Sequence, residues 1–259
     1  MSTAYAMLTG RVELATIADT FGILGVKPPK PLDEAFARMR RLDERADNLA
    51  VDAKLPGLVV AAAEAGRDPA TDPEVQRVFL ASQIANDWTR DILRGAGREG
   101  VTSALREHEP AIIAEWSKVF DRAAAVLVDA YDKLGVDDLD DSKAVLRKGG
   151  AAAKLWAEAQ GAVGAIQAAA AGANAIDSLV GRGPAPSSVL RIADIEPEAW
   201  KASGFHGRAD VHPWEVVTGG YRLSLADRAE LTRRRAALRE YQEQQDRAKA
   251  EARKARAFA

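Results

Sequence analysis

The chain has 259 residues, no cysteine and a formal net charge of -2 at pH 7. The lack of cysteine excludes disulfides, thiolate metal sites and cysteine nucleophiles, and the near-neutral charge gives no overall attraction to nucleic acid or membrane. Alanine accounts for 53 residues and aromatic residues for 6%, which favours helices over a β-sandwich or barrel packed with large side chains. We therefore expect a soluble protein that is mostly α-helical.

Neither the first residues nor the most apolar stretch is typical of a targeting or membrane segment. Met1–Met7 lacks a basic region, and Arg11 and Glu13 interrupt the apolar sequence, unlike a secretory signal. The longest uncharged stretch, Ala159–Ile176, is mostly alanine, whereas a spanning helix needs about 20 predominantly apolar residues. The sequence therefore predicts a cytoplasmic protein, located in a host cytoplasm or in an assembled particle.

Apolar spacing predicts three helices near the start of the chain. Large apolar residues recur at intervals of three and four over residues 14–24, as on one face of an amphipathic helix. The prolines within residues 28–31 end this helix because they lack a backbone donor. A second helix is predicted over about residues 32–54, and a short apolar helix over 56–65.

A further helix is predicted from Asp72, a residue suited to the N-cap position and followed by proline at the first helical position. Its apolar residues, spaced four apart, are Leu80, Ile84, Trp88 and Ile92. Gly95 is expected to begin its C-terminal turn, and Pro110 to begin the clearest amphipathic helix, which ends at Gly135. Trp88, together with Trp116 on that later helix, is expected in the core.

Two more helices complete a predicted helical bundle over residues 1–181. An acidic turn at residues 137–141 precedes a helical stretch that reaches Arg147, and residues 151–180 are predicted as one alanine-rich helix. Small side chains on this helix allow another helix to approach closely, inside the molecule or across a subunit boundary.

The composition of the chain changes after this bundle. Residues 182–188 are rich in glycine, proline and serine and are predicted to be a linker. Residues 189–223 are predicted as a small docking segment with a short strand and a β-hairpin about Gly219–Gly220. Residues 224–259 are predicted as an extended charged helix with ten basic and six acidic side chains from Leu225 onward. Its heptad pattern decays too soon for a convincing coiled coil.

Motifs for phosphate or nucleophile chemistry are weak or missing in the sequence. Residues 95–100 have the glycine spacing of a dinucleotide fingerprint but follow a predicted helix where a strand is required. The sequence has no P-loop and no Gly-x-Ser-x-Gly motif. Residues 17–23 resemble the start of a helix-turn-helix, but the prolines that follow forbid a recognition helix. We therefore predict no catalytic residue and no cofactor.

Histidines offer one candidate metal site within the docking segment. His206, Asp210 and His212 could supply two imidazoles and a carboxylate to a metal ion. The favoured interpretation is that they decorate a polar loop, because two histidines in a glycine-bearing loop are a weak signal. No metal ligand is predicted.

The C-terminal region supplies the candidate partner-binding residues. Tryptophan anchors protein interfaces out of proportion to its frequency, and apolar residues are few on the charged helix. The predicted partner-binding residues are Trp200, Trp214, Leu231, Leu238 and Tyr241. The alternative for both tryptophans is that they pack the small segment onto the bundle.

Arginine-rich stretches on the last helix leave nucleic-acid binding open. The candidate phosphate contacts are Arg233, Arg234, Arg235, Arg253, Lys254 and Arg256. Binding through such residues depends strongly on salt. The interleaved acidic residues favour a solvated or protein-docking helix instead.

These features favour a non-enzymatic helical interaction or assembly protein that uses its C-terminal arm to engage partner subunits. Arms of this kind suit phage morphogenesis or scaffold-like proteins, an analogy of architecture alone. Nucleic-acid association through the arginine-rich helix is the first alternative, and a helical-bundle enzyme of unknown chemistry is the second. The expected partner is another protein or a second copy of the chain, with no membrane involved.

Overall fold

The computed structural model describes residues 3–49, 55–181, 188–205, 208 and 210–257. These residues form eleven helices and one two-stranded antiparallel sheet, which confirms the prediction of a mostly α-helical fold with a small β element. Within the same ranges, none of the helices combines the length and the apolar content needed to cross a membrane.

The elements follow one another along the chain with short connections. The helices are α1 (Thr3–Leu24), α2 (Lys30–Asp47), α3 (Leu55–Glu64), α4 (Pro73–Ile84), α5 (Asp87–Leu134), α6 (Ser142–Leu146), α7 (Gly150–Leu179), α8 (Ser188–Ile192), α9 (Pro197–Ala202), α10 (Pro213–Thr218) and α11 (Arg228–Ala257). The strands are β1 (Ala193–Asp194) and β2 (Arg222–Leu223).

The chain divides into two compact units. Unit 1 comprises residues 1–27 and 109–259, and unit 2 comprises residues 28–108. This division differs from the sequence-based boundaries, which separated residues 189–259 from the bundle. Residues on both sides of the predicted linker belong to unit 1, and residues 182–187 of that linker lie outside the described residues.

The core of unit 1 forms where α1, α5 and α7 meet. The rings of Phe21 and Trp116 make an edge-to-face contact with centroids 5.1 Å apart. Thr20 donates its hydroxyl to the main-chain carbonyl of Ala168 at 3.2 Å. Gly172 faces both Thr20 and Trp116, and a Cβ at that position would lie within 2.8 Å of each. The small residues of α7 therefore admit α1 at close range, as predicted for a neighbouring helix within the molecule.

The predicted hairpin about Gly219–Gly220 is wrong. Residues 213–218 form α10 instead, because His212 caps its N-terminus and Pro213 occupies the first helical turn. Gly220, with φ of +74°, lies in the left-handed region after the helix. Strand β2 then pairs with β1 in the register Ala193–Leu223, so the sheet joins segments about 30 residues apart in sequence.

Unit 2 contains α2, α3, α4 and the start of α5. Asp72 caps α4 as predicted: its Oδ1 accepts from the main-chain N–H groups of Glu74 at 2.9 Å and Val75 at 3.2 Å. The hydrogen bond from Val75 is the main reason that the pKa of Asp72 lies below its usual value. Arg67 forms an ion pair with the same carboxylate, so the start of α4 is held from both sides.

The predicted boundaries around α4 and α5 are also wrong. The helix from Asp72 stops at Ile84. Two residues separate it from α5, which begins at Asp87, and Asn86 Oδ1 accepts from the N–H of Thr89 at 2.8 Å. Helix α5 then continues past Gly95 and contains Pro110 in its interior. Proline and glycine lower helix stability locally, but packing along the rest of a 48-residue helix offsets that cost.

Candidate interaction surfaces

Two of the five predicted partner-binding residues are core residues of unit 1. The Trp214 side chain is 1% exposed. Its indole N–H donates to the main-chain carbonyl of Val136 at 3.2 Å, and its ring meets Tyr131 edge to face at 5.7 Å. Leu231 is buried together with Leu190 and Ala226. The alternative in which the tryptophans pack this segment onto the bundle therefore describes Trp214.

The other three predicted residues line one groove between α9 and α11. Trp200, Leu238 and Tyr241 are each half-buried, and they border a cavity of about 510 Å³ together with Pro197. Its polar wall is formed by Lys201, Gln242, Gln245, Asp246 and Lys249. Trp200 and Leu238 also pack against the buried cluster around Leu231. Partner binding by these three residues stays a prediction.

The first two arginines of the predicted nucleic-acid stretch form contacts within the chain, Arg233 at the surface and Arg234 in the interior. Arg233 makes two hydrogen bonds of 2.7 Å to the carboxylate of Glu230. Arg234 is buried and donates to Glu230 at 2.8 Å, and also to the main-chain carbonyls of Leu190 at 3.0 Å and Ala193 at 2.8 Å. These contacts tie α11 to α8 and β1, so Arg234 has a structural role.

The remaining basic candidates lie further along α11. Arg235 is half-buried and Arg253 is exposed. The side chains of Lys254 and Arg256 lie outside the described residues. Nucleic-acid binding by this end of the helix is an untested alternative.

A second buried arginine organises a charged cluster in unit 1. Arg191 is 1% exposed, pairs with Asp177, and donates to Asn174 Oδ1 at 2.9 Å and to the carbonyl of Ala226 at 2.8 Å. Arg228 joins the same carboxylate at 3.0 Å and Glu109 at 2.9 Å. Burial lowers the pKa of Arg191, and the nearby Asp177 opposes that shift. The cluster ties α7, α8 and α11 together and has the geometry of a structural network.

The histidine candidates do not assemble into a metal centre in the described part of the chain. His212 caps α10. Its Nδ1 accepts from the main-chain N–H of Trp214 at 3.3 Å, and its main-chain N–H donates to the carboxylate of Glu215. Asp210 is exposed, and His206 lies outside the described residues. Among the described residues, no group of three or more His, Asp or Glu side chains could hold a metal ion.

Unit 2 has several exposed apolar side chains that lie close together in the sequence. They lie at the end of α4 and the start of α5 and comprise Phe79, Leu80, Ile84, Trp88 and Ile92. Trp88 is 71% exposed, so its prediction as a core residue is wrong. Soluble proteins rarely expose a contiguous apolar patch larger than a few hundred Å² without using it for binding.

Helix α3 adds one residue to this set. Val59 of α3 is exposed, and it borders a cavity of about 400 Å³ with Phe79 of α4. Leu55, Pro69, Ala70, Val75 and Gln76 complete the lining of this cavity. We add Val59 to the five residues above and call the resulting set the apolar row: Val59, Phe79, Leu80, Ile84, Trp88 and Ile92.

The sequence spacing grouped Leu80, Ile84, Trp88 and Ile92 and assigned Trp88 to the core, whereas it did not single out Val59 or Phe79. Regular spacing identifies which residues share a helix face, and it does not say whether that face is covered by the same chain or by another. Asn86 followed by Asp87 is a good N-cap sequence, and this signal could have located the start of α5.

Comparisons with known proteins give no family assignment. No protein-family model, no curated protein and no solved structure matches the chain. The inference of function therefore starts from the surfaces described above and from their chemistry.

Proposed function

We propose that the chain is a non-enzymatic helical interaction or assembly protein. The observation that carries the proposal is the apolar row, in which a tryptophan, a phenylalanine and three aliphatic side chains of α4 and α5 are exposed in succession. Burying such side chains releases about 25 cal/mol per Å², so a partner surface that covers them binds favourably. Tryptophan is also the residue type most enriched at the energetic centres of interfaces.

The C-terminal arm contributes a second surface to this proposal. Trp200, Leu238 and Tyr241 line the groove between α9 and α11, and this groove suits an apolar side chain from a partner segment. The groove is less apolar than the apolar row, because polar side chains form about half of its wall. Partner binding, which was predicted for the C-terminal arm, is therefore proposed for the groove and not for Trp214.

Photo-crosslinking tests the proposed function in the cells that encode the chain. A benzophenone-bearing amino acid is placed at position 88 of the full chain. In a second version of the same chain it is placed at position 146. Leu146 is the matched control position, because it is 60% exposed and lies on α6 of unit 1. We expect a discrete protein adduct from position 88 that disappears when Leu80 and Ile84 are replaced by serine. No adduct, or equal adducts from both positions, contradicts the proposal.

A further inference from the structure

A cavity of about 450 Å³ lies in unit 2 beside the contact between α2 and α5. The two helices approach closely at Gly97, where a Cβ would lie 3.1 Å from the Cα of Met39. The residues next to this contact, Arg38 of α2 and Ala96 of α5, both line the cavity. Gly100 also lines it, and a Cβ there would meet no atom within 4 Å. The small residues of α5 therefore leave space for a ligand over the helix.

Polar side chains of α5 border this cavity from one side of the helix. Glu99, Ser103 and Arg106 follow one another at intervals of four and three residues, a spacing that places them on one helix face. All three line the cavity, as does Thr102. The cavity is thus bordered by one guanidinium from each helix, by two hydroxyls and by one carboxylate.

The two arginines of the cavity have their donors available for an external anion. Arg38 and Arg106 are exposed, and within the described part of the chain neither forms an ion pair with Glu99 or with any other carboxylate. Arg94 of the same helix pair differs, because it pairs with Asp47 at 2.6 Å. A guanidinium presents five N–H donors in a planar fork that matches the oxygen atoms of a carboxylate or a phosphate.

We infer that this cavity binds a phosphate group that carries a hydrogen-bond donor, with Arg38 and Arg106 as its anion-binding residues. Arginine suits phosphate because two of its N–H groups bind two oxygens at once, and the hydroxyls of Thr102 and Ser103 supply further donors. Glu99 repels a group that has only acceptors, and it accepts a hydrogen bond from a donor beside the phosphate. That donor is the protonated oxygen of the free ion, or a hydroxyl of a small phosphate monoester.

This inference goes beyond the proposed function and stands apart from it. The residues that line the cavity do not include any member of the apolar row. Phosphate binding therefore persists when Leu80 and Ile84 are replaced by serine, and the crosslink from position 88 persists when Arg38 is replaced.

Calorimetric titration of the full chain with sodium phosphate tests the site. Sodium sulfate is titrated in parallel at the same ionic strength, because sulfate has the shape of phosphate and carries no proton near neutral pH. We expect one phosphate site with a dissociation constant of about 1 mM or lower, and sulfate binding at least about fivefold weaker. No phosphate binding up to about 20 mM, or equal binding of the two ions, overturns the inference.

Three arginine variants separate a defined site from general attraction to positive charge. Arg40 is exposed on α2 two residues from Arg38 but does not line the cavity, so Arg40→Gln is the matched control. We expect R38Q and R106Q each to raise the dissociation constant for phosphate about tenfold, and R40Q to change it by less than about twofold. Equal effects of R38Q and R40Q overturn the inference. Circular dichroism checks that each variant keeps its helix content.

Glu99→Gln tests the requirement for a donor. The variant loses the negative charge that repels sulfate, so we expect sulfate to bind almost as well as phosphate. An unchanged preference for phosphate overturns the donor requirement. Titration with glycerol 3-phosphate then distinguishes the two sources of the group: tighter binding than phosphate supports a small monoester, and weaker binding supports the free ion.

Discussion

Trp214 donates its indole N–H to the main-chain carbonyl of Val136, 78 residues earlier in the chain. Both groups are buried, so the bond compensates for the hydrogen bonds to water that each group loses on folding. The bond fixes α10 to the segment after α5, and the rings of Tyr131 and Trp214 meet edge to face. The α10 part of the segment predicted to dock partners is thus held in the core of unit 1.

Replacement of Trp214 should therefore destabilise the protein strongly. We expect Trp214→Ala to lower the free energy of unfolding by about 3–5 kcal/mol, because it leaves a large cavity and an unpaired carbonyl. Trp214→Phe should cost less, because it keeps most of the ring contact and loses the N–H donor. Urea denaturation measures both values.

An exposed residue of α5 provides the control for this prediction. Val128 is 47% exposed, and Val128→Ala should change the free energy of unfolding by no more than about 0.5 kcal/mol. A cost below about 1 kcal/mol for Trp214→Ala would mean that α10 is not part of the cooperative core.

The close approach of α1 to α7 makes Gly172 sensitive to any side chain. A Cβ at this position would lie 2.6 Å from Thr20 Oγ1 and 2.8 Å from the Trp116 ring. We expect Gly172→Ala to lower the free energy of unfolding by about 1–3 kcal/mol, the usual cost of overpacking a core. Thermal unfolding followed by circular dichroism measures the loss.

Gly161 on the same helix gives the opposite expectation. No heavy atom within 4 Å would meet a Cβ there, so Gly161→Ala adds helix propensity without a clash. It should raise the free energy of unfolding by about 0.5–1 kcal/mol. The prediction fails if the two alanine variants shift stability in the same direction.

The charged cluster around Asp177 predicts a strong penalty for losing one buried partner. Asp177 accepts from Arg191 and from Arg228, and Arg191 is buried. We expect Asp177→Ala to cost about 3–5 kcal/mol, because the Arg191 guanidinium is left without its carboxylate. Arg191→Met in the Asp177→Ala background should cost less than it does alone, which a double-mutant cycle in urea detects.

An exposed ion pair is the control for the buried one. Lys133 and Asp129 lie 2.8 Å apart on the surface of α5 and are each more than half exposed. Asp129→Ala should therefore cost no more than about 1 kcal/mol. Additive effects of the Asp177 and Arg191 substitutions would show that the two residues do not depend on each other.

Local signals in the sequence predicted much of this fold. The cap at Asp72, the alanine-rich helix before Val180 and the buried position of Trp116 were all predicted, because each depends on spacing or on a few adjacent residues. Capping and helix periodicity are local properties. They predict an element wherever tertiary packing does not override them.

Long-range packing decided the features that the sequence did not predict. Strand β2 pairs with β1 instead of with its sequence neighbour, and α5 continues through Pro110. Leu80 lies on α4 and Trp88 on α5, with a break at Ala85 and Asn86 between the two helices, so the four-residue spacing does not place them on one helix face. Whether an apolar face is buried within the chain depends on contacts that no local pattern records.

The pKa of Glu230 predicts how stability depends on pH. Hydrogen bonds from Arg233, and then from Arg234, lower this pKa from 4.5 to about 2 in the folded protein. Since the folded pKa is below the unfolded one, the carboxylate stabilises the protein above about pH 4.5, and this contribution is lost as the pH falls toward 2. Glu230→Gln should cost about 1–2 kcal/mol at pH 7 after allowance for solvent screening, because Arg234 also loses its carboxylate.

The difference between wild type and Glu230→Gln should shrink as both are titrated to low pH. Urea denaturation at intervals between pH 7 and pH 2 measures it, with Glu243→Gln as the control. Glu243 is exposed and pairs with Arg247 at 3.4 Å, so its substitution should change stability by no more than about 0.5 kcal/mol. A constant difference between wild type and Glu230→Gln across this range would show that the Arg233 and Arg234 contacts do not favour the ionised carboxylate.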